Sequence, residues 1–162
     1  MMLSLQSPRA AAILLLALTF PALAQSPDDR VVFVCEHGSV KSLIAASLFD
    51  RAATARGLRF RAISRGVNPE EQVPAPIADA LQRDGFNVEG FHPQRISQGD
   101  VIGARRVIAI GVELPAIDAG PIAAEIWNDI PPASADYAAA RAALQRHIDA
   151  LLDNLQATER KP

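Results

Sequence analysis

The sequence predicts an α/β protein in which a four-stranded parallel sheet lies between layers of helices, a three-layer sandwich. Short apolar runs typical of strands alternate along the chain with patterns typical of amphipathic helices. Strands separated by helices favour a parallel sheet that is covered on both faces. The one cysteine of the chain, Cys35, follows the first apolar run, where the carboxyl ends of parallel strands form binding sites.

The first strand, helix and second strand follow one another closely. Residues 31–34 form an uninterrupted apolar run, which predicts a buried strand. Residues 43–56 keep one side apolar and are followed by Gly57, a residue suited to the end of a helix. Residues 58–64 alternate apolar and basic side chains, as a half-covered strand does, and Gly66 lies just beyond them.

The middle of the chain contains shorter elements. Residues 77–84 predict a short helix closed by Gly85. Residues 87–91 predict a short strand or an extended link, and residues 97–100 predict a helical turn. Residues 106–110 form an apolar run that predicts the third strand.

The last strand and the last helix complete the predicted fold. Residues 122–127 form a further short apolar run, and Ser134 is suited to cap the helix that follows. Beyond Gln156 the chain is polar, and we expect it to fray. The apolar stripe of this helix consists of Tyr137, Leu144, Ile148, Leu151, Leu152 and Leu155.

The first 24 residues predict a signal peptide. Arg9 precedes an apolar stretch over residues 10–20, and Ala22-Leu23-Ala24 is a small-x-small cleavage site. Cleavage there leaves residues 25–162 as a single domain in the periplasm or outside the cell. The apolar stretch is shorter than the roughly 20 residues of a membrane-spanning helix. Membrane contact is therefore expected only through an uncleaved segment.

The composition limits the classes of partner. The formal net charge of −2 offers no general attraction to nucleic acid. A single cysteine cannot form an internal disulfide, so Cys35 is either a buried spectator or a working thiol. Three scattered histidines beside one cysteine make no recognised zinc spacing, and we expect neither a metal nor a cofactor.

The loop after the first strand is the candidate functional site. A strand that ends in a tight loop before a helix aims backbone N–H groups and the positive end of the helix dipole at one point. The same field lowers the pKa of a thiol in general and favours the nucleophilic thiolate. Lys41-Ser42 resembles the end of a nucleotide-binding Walker loop, but Val40 occupies the place of the required glycine.

The segment from Val34 to Ser42, VCEHGSVKS, resembles the phosphate loop of the low-molecular-weight protein tyrosine phosphatases and the related thioredoxin-coupled arsenate reductases. The signature of that family is a cysteine, five residues, an arginine and a serine. The resemblance extends beyond the loop and covers nearly the whole chain after the signal peptide. It includes Ser64-Arg65-Gly66, where the family has Ser-Ala-Gly, the stretch of residues 85–88, and Trp127-Asn-Asp129.

The resemblance implies roles for most residues of the loop. Cys35 matches the nucleophile, and Ser42 matches the hydroxyl that donates to the thiolate. Gly38 stands where the family usually has Asn, a change that suits a backbone with positive φ, and His37 replaces a family glycine. The backbone amides of the loop would surround the phosphate oxygens. They belong to Glu36, His37, Gly38, Ser39, Val40 and Lys41.

Lys41 is the main departure, because the family has Arg at this position. A guanidinium makes two parallel hydrogen bonds to a phosphoryl group, whereas an ammonium is a compact point charge. The loss of part of a transition-state clamp costs on the order of 3 kcal/mol, or about a hundredfold in rate. Arg65, at the end of the second predicted strand, is a candidate to supply a guanidinium from the side.

A general acid is also needed to protonate the leaving oxygen. The family supplies an Asp followed by Pro on a loop before the last helix, and Asp129 is the nearest candidate. Ile130 intervenes between Asp129 and Pro131. Asp136 is a second candidate, although its position also suits the start of a helix.

Three functions are compatible with these residues. The first is an exported phosphatase that hydrolyses phosphomonoesters, phosphotyrosine among them, through a phosphocysteine. The second is arsenate reduction with an external thiol, because the chain lacks the further cysteines of the thioredoxin-coupled enzymes. The third is a domain that binds phosphate or another inorganic oxyanion, or a phosphorylated protein or small molecule, without turnover.

Overall fold

The computed structural model describes residues 29–117 and 124–159. The predicted signal peptide, residues 1–24, and the first two residues of the predicted fourth strand lie outside the described residues. Among the described helices, none combines the length and the apolar character needed to cross a bilayer.

The described strands form one parallel sheet. They are β1 (Arg30–Cys35), β2 (Arg61–Gly66), β3 (Arg106–Ile110) and β4 (Glu125–Trp127). Their order across the sheet is β2-β1-β3-β4, and each neighbouring pair is parallel. The predicted four-stranded α/β architecture is confirmed.

Helices cover both faces of the sheet. They are α1 (Lys41–Ala55), α2 (Ala75–Arg83), α3 (Gln98–Val101) and α4 (Tyr137–Glu159). On one face, Val31, Phe33 and Cys35 share a core with the apolar sides of α1 and α4. On the other face, Val32 and Val34 pack against the segment that contains α3. This division follows from the strand period of two, which sends successive side chains to opposite faces.

The strand β2 begins later than predicted, because a backbone hydrogen bond extends the turn at the end of α1. The N–H of Leu58 donates to the carbonyl of Ala53 at 2.9 Å, so the turn that ends α1 delays the start of β2. Residues 87–91 form no strand and are the link, one of the two alternatives that the sequence predicts. There, the side chain of Asn87 accepts the N–H of Glu89 at 2.9 Å and closes a turn.

The predicted cap of the last helix is wrong by two residues. The carboxylate of Asp136 accepts the N–H of Ala139 at 2.9 Å, so Asp136 and not Ser134 caps α4. Most of the predicted stripe is buried, from Leu144 to Leu155, whereas Tyr137 is only partly covered. Burial, together with the hydrogen bond to Asp84, raises the pKa of Tyr137.

The strand order places Cys35 at a switch point of the sheet. The connection after β1 runs to β2 on one side, whereas the connection after the neighbouring strand β3 runs to β4 on the other side. A crevice forms at such a point in open α/β sheets and is a usual place for ligands. Cys35 is the last residue of β1 and pairs in register with Gly66 of β2.

Arg65 is engaged on the opposite face of the sheet. It pairs in register with Val34, next to Cys35, so its side chain leaves β2 on the face away from the thiol. There its guanidinium contacts the carboxylate of Asp100 at 2.8 Å, and both side chains are largely covered. The suggestion that Arg65 supplies a guanidinium to the cysteine loop is therefore wrong.

The stability that the pair of Arg65 and Asp100 contributes depends on pH. Burial opposes the charge of Asp100, but hydrogen bonds from Arg65 and Ser97 outweigh it and lower its pKa below the ordinary value of 3.8. Because the pKa of Asp100 is lower in the folded protein than in the unfolded chain, its ionised carboxylate stabilises the fold at pH values above 3.8. That contribution is lost as the pH falls through the lowered pKa.

We predict that Arg65→Met lowers the free energy of unfolding by ~3 kcal/mol, because it leaves a buried carboxylate without its partner. Urea denaturation at neutral pH measures the change. The matched control is Arg59→Met, which removes an arginine whose side chain is 76% exposed and is expected to cost less than ~1 kcal/mol. Equal losses in the two variants would contradict the prediction.

Candidate active site

The thiol of Cys35 lies at the base of a loop that leads directly into α1. The residue is 3% exposed, and its Sγ lies 3.0 Å from the Oγ of Ser42. The backbone N–H of Ser42 also donates to Sγ, at 3.5 Å. The sulfur thus has a hydroxyl and an N–H as neighbours at the N-terminus of α1. The sequence-predicted contact between Cys35 and Ser42 is present.

The backbone of the loop is turned so that its carbonyls face protein and its N–H groups do not. Within the described part of the chain, the N–H groups of residues 36–41 donate to no protein acceptor. The carbonyls of residues 35–38 all accept hydrogen bonds from residues 64–70 at the end of β2. Unpaired N–H groups at a helix N-terminus form an anion site. The donors to these carbonyls are the N–H groups of Val67, Asn68 and Glu70 and the hydroxyl of Ser64.

Two glycines allow the loop to lie against β2. Gly38 has a φ of +68°, which glycine adopts most easily. A Cβ on Gly38 would lie 2.8 Å from the backbone N of Gly66, and a Cβ on Gly66 would lie 2.8 Å from the N of Gly38. The positive φ expected from the sequence for Gly38 is confirmed.

Ser64 extends the hydrogen-bond chain behind the thiol. Its Oγ lies 2.8 Å from the Oγ of Ser42 and 3.0 Å from the carbonyl of Gly38. A hydroxyl has one proton, so Ser64 donates either to the carbonyl of Gly38 or to the oxygen of Ser42, and not to both at once. Sequence reasoning did not assign this role to Ser64. The available signal was its position in Ser64-Arg65-Gly66, at the carboxyl end of β2.

The side chains of Glu36 and His37 both contact Asn68. Both residues are exposed, and the carboxylate of Glu36 accepts the side-chain N–H of Asn68 at 2.7 Å. The Nδ1 of His37 lies 3.3 Å from the carbonyl of Asn68. Their contribution to the anion site is therefore their backbone N–H.

Lys41 extends toward the end of β3. Its Nζ lies 2.7 Å from the point where a Cβ on Gly111 would stand, so the ammonium occupies space that a larger residue would fill. Within the described residues, Lys41 has no carboxylate partner. An uncompensated cation beside the loop is available to a bound anion.

A cavity of about 380 Å³ opens over the thiol. A larger depression of about 700 Å³ lies elsewhere, along Glu71, Val88 and His92, and does not include the thiol. The cavity over the thiol is therefore the candidate active site. It is lined by Cys35, Glu36, His37, Val40, Lys41, Glu70, Pro74, Pro132, Ala133 and Ser134.

Asp129, the residue predicted to be the general acid, does not line this cavity. Its side chain is 67% exposed, and both carboxylate oxygens lie 2.9 Å from the Nε2 of His147. The hydrogen bond to His147 lowers the pKa of Asp129. His147 also stacks on Trp127, with ring centroids 4.6 Å apart. The second candidate, Asp136, caps α4 and does not line the cavity either.

The structure thus has a parallel α/β sheet and a thiol at the base of a loop whose N–H groups donate to no acceptor among the described residues. The model of the low molecular weight phosphotyrosine protein phosphatase family matches residues 30–113. The chain belongs to this family. A comparison with curated proteins gives no match.

Solved structures share the fold at low sequence identity. A low molecular weight phosphotyrosine phosphatase from Vibrio cholerae is 18% identical, with a TM-score of 0.64 over 78% of this chain and 96% of its own. An arsenate reductase from Archaeoglobus fulgidus is 22% identical, with a TM-score of 0.63 over 76% of this chain and 98% of its own. A low molecular weight protein tyrosine phosphatase from T. tengcongensis is 20% identical, with a TM-score of 0.59 over 77% of this chain and 98% of its own.

We predict that Gly38→Ala destabilises the protein and weakens phosphate binding, because the methyl group meets the backbone of Gly66. The matched control is Gly57→Ala, where φ is +69° and a Cβ would meet nothing within 4 Å. The control isolates the cost of the left-handed backbone, about 1 kcal/mol. Denaturation and the phosphate-dependent shift in melting temperature measure both variants. If both variants lose the same free energy of unfolding and Gly38→Ala still binds phosphate, the prediction of a clash with Gly66 is wrong.

We predict that Ser42→Ala slows alkylation of Cys35 by iodoacetamide at neutral pH by ~fivefold or more, because one of the donors to the thiolate is lost. Ser47→Ala, a serine on α1 outside the cavity over the thiol, is the control and should react as the unchanged protein does. Mass spectrometry of the modified thiol follows the reaction. Equal rates in all three proteins would show that the hydroxyl does not support the thiolate.

Proposed function

We propose that this protein is a cysteine-dependent phosphatase that hydrolyses phosphomonoesters through a phosphocysteine intermediate. The observation that carries the proposal is the loop of residues 36–41 next to the thiol of Cys35, whose N–H groups donate to no acceptor within residues 29–117 and 124–159. Membership of the low molecular weight phosphatase family supports the same chemistry.

The proposed reaction has two displacements at phosphorus. The thiolate of Cys35 attacks the phosphoryl group, while the loop N–H groups and the ammonium of Lys41 hold its non-bridging oxygens. The bond to the leaving oxygen breaks, and that oxygen takes a proton from a general acid. Water then attacks the phosphocysteine, which releases phosphate and restores the thiolate.

The walls of the cavity favour an aryl leaving group. Pro74, Pro132 and Ala133 line the cavity with apolar surface, against which a phenyl ring can pack. Phosphotyrosine and other aryl phosphates are therefore the proposed substrates. The similar structures include proteins described as an arginine phosphatase and as arsenate reductases, so phosphoarginine and arsenate belong in a substrate screen.

We further propose that the protein acts in the periplasm or outside the cell. The proposal rests on the charge, apolar stretch and small-x-small site within residues 1–24. N-terminal sequencing of the protein from a periplasmic fraction tests it, and a cytosolic protein that retains residues 1–24 would overturn it.

Oxyanion binding without turnover is the second candidate function. The position of Asp129 against His147 and the Lys at position 41 favour it, because both weaken the catalytic machinery that turnover requires. Arsenate reduction would require an external thiol to reduce the adduct formed on Cys35, because the sequence contains no second cysteine.

The test is turnover of 4-nitrophenyl phosphate by the reduced protein from mildly acidic to neutral pH. We expect Cys35→Ser to abolish turnover and Lys41→Arg to raise it by about tenfold to a hundredfold, because the guanidinium restores two parallel hydrogen bonds. Trapping of a phosphorylated Cys35 by acid quench identifies the intermediate.

Two outcomes would reject the phosphatase proposal. Turnover that survives Cys35→Ser would exclude the thiol as nucleophile. No turnover in either the unchanged protein or Lys41→Arg, combined with phosphate binding by calorimetry, would establish the binding function instead. Loss of arsenate only in the presence of a small thiol would identify the reductase.

A further inference from the structure

The proposed phosphatase reaction requires a proton donor that the loop before α4 does not provide. This loop lines the cavity with Pro132, Ala133 and Ser134, none of which is a carboxylic acid. Asp129 does not line the cavity, and both of its carboxylate oxygens lie 2.9 Å from the Nε2 of His147. Among the described residues that line the cavity, the carboxylates are Glu36 and Glu70.

Glu70 forms two hydrogen bonds with the loop of residues 36–41. Its backbone N–H donates to the carbonyl of His37 at 3.2 Å. Its carboxylate accepts a hydrogen bond from the hydroxyl of Ser39, which is fully buried inside the loop. These bonds fix the carboxylate beside the anion site, at the same sheet edge as Cys35.

Glu36 is held differently. It is exposed, and its carboxylate is occupied by the side-chain N–H of Asn68. Glu70 is only partly exposed, and its hydrogen-bond partner Ser39 is a loop residue. Of the two carboxylates, Glu70 is therefore the one that is held by hydrogen bonds to the loop that contains the candidate anion site.

We propose that Glu70 is the general acid and base of this site, in place of an aspartate on the loop before α4. The proposal rests on the proposed phosphatase function. In the first step, the thiolate of Cys35 forms the S–P bond, the P–O bond to the leaving group breaks, and protonated Glu70 gives its proton to the leaving oxygen. In the second step, water forms a P–O bond and gives a proton to the Glu70 carboxylate, the S–P bond breaks, and phosphate leaves.

Charged groups from the loop of residues 36–41 face the same cavity as Glu70. Cys35 and Lys41 line it together with Glu70, so a bound phosphoryl group would lie among these three side chains. His37 and Glu36 are the other titratable side chains that line the cavity.

The experiment compares two substrates that differ in their need for a proton. Phenyl phosphate has a basic leaving group, whereas 4-nitrophenyl phosphate has a weakly basic one. In Glu70→Gln, we expect formation of the phosphocysteine from phenyl phosphate to slow by ~hundredfold or more, and that from 4-nitrophenyl phosphate by less than ~tenfold. The alkaline limb of the kcat/KM profile for phenyl phosphate should also disappear.

Three variants serve as controls. Glu71→Gln changes the adjacent exposed carboxylate, which does not line the cavity, and should retain the rates and the pH profile of the unchanged protein. Ser39→Ala removes the hydrogen bond to Glu70 and should lower the rate but keep the alkaline limb. Glu70→Asp retains a carboxyl group on a shorter side chain and should recover part of the rate with phenyl phosphate. This variant tests the role of the carboxyl group even if Glu70→Gln folds poorly.

The outcomes separate the two proposals. Equal losses of Glu70→Gln on both substrates with an unchanged pH profile would overturn the role of Glu70 while leaving the phosphatase function in place. A leaving-group-dependent loss in Asp129→Asn instead would assign the acid to Asp129. Absence of Cys35-dependent turnover in the unchanged protein would overturn the phosphatase function and this inference with it.

Discussion

The site depends on the way one loop is held against the end of β2. The carbonyls of residues 35–38 are satisfied by residues 64–70, and this contact is close because Gly38 and Gly66 have no side chains between them. In this loop the carbonyls are engaged by the end of β2, whereas the N–H groups of residues 36–41 have no acceptor among the described residues. The anion site is thus a consequence of how the loop is anchored, and the thiol lies at its base because β1 ends there.

The pairing of β1 with β2 also determines where the two basic side chains near the loop, Arg65 and Lys41, lie. Arg65 follows Ser64 in β2, and the strand period directs its side chain to the face opposite the thiol, where Asp100 neutralises it. Lys41 remains as the cation beside the loop, in the space left by Gly111. One strand end therefore supplies both a hydroxyl to the network of the thiol and an ion pair to the other face of the sheet.

The parts of the molecule that the sequence predicts well are those specified by neighbours in the chain. The bounds predicted for β3 match the structure, because an apolar run followed by a glycine is a local signal. The conformation of Gly38 and the contact between Cys35 and Ser42 also follow from a loop of a few residues. Boundaries such as the start of β2 were missed because one hydrogen bond, from Leu58 to Ala53, decides them.

The rest of the candidate site could not be predicted because it comes from distant segments. Ser64 and Glu70 reach the loop through the parallel pairing of β1 with β2, and no pattern within their own segments marks them as partners of Cys35. For Asp129, its place in the sequence suggested the cavity, whereas a contact with His147 on α4 holds it outside. Tertiary contacts of this kind decide that Glu70 lines the cavity over the thiol and that Asp129 does not.

Main-chain recognition also determines which changes the site can tolerate over evolution. Each residue from 36 to 41 contributes an N–H, and every amino acid except proline has one. The replacements at positions 37, 38 and 41 therefore leave the number of main-chain N–H donors unchanged, which is compatible with wide divergence from the family signature. The chain contains 12 prolines, and none of them lies between Cys35 and Ser42.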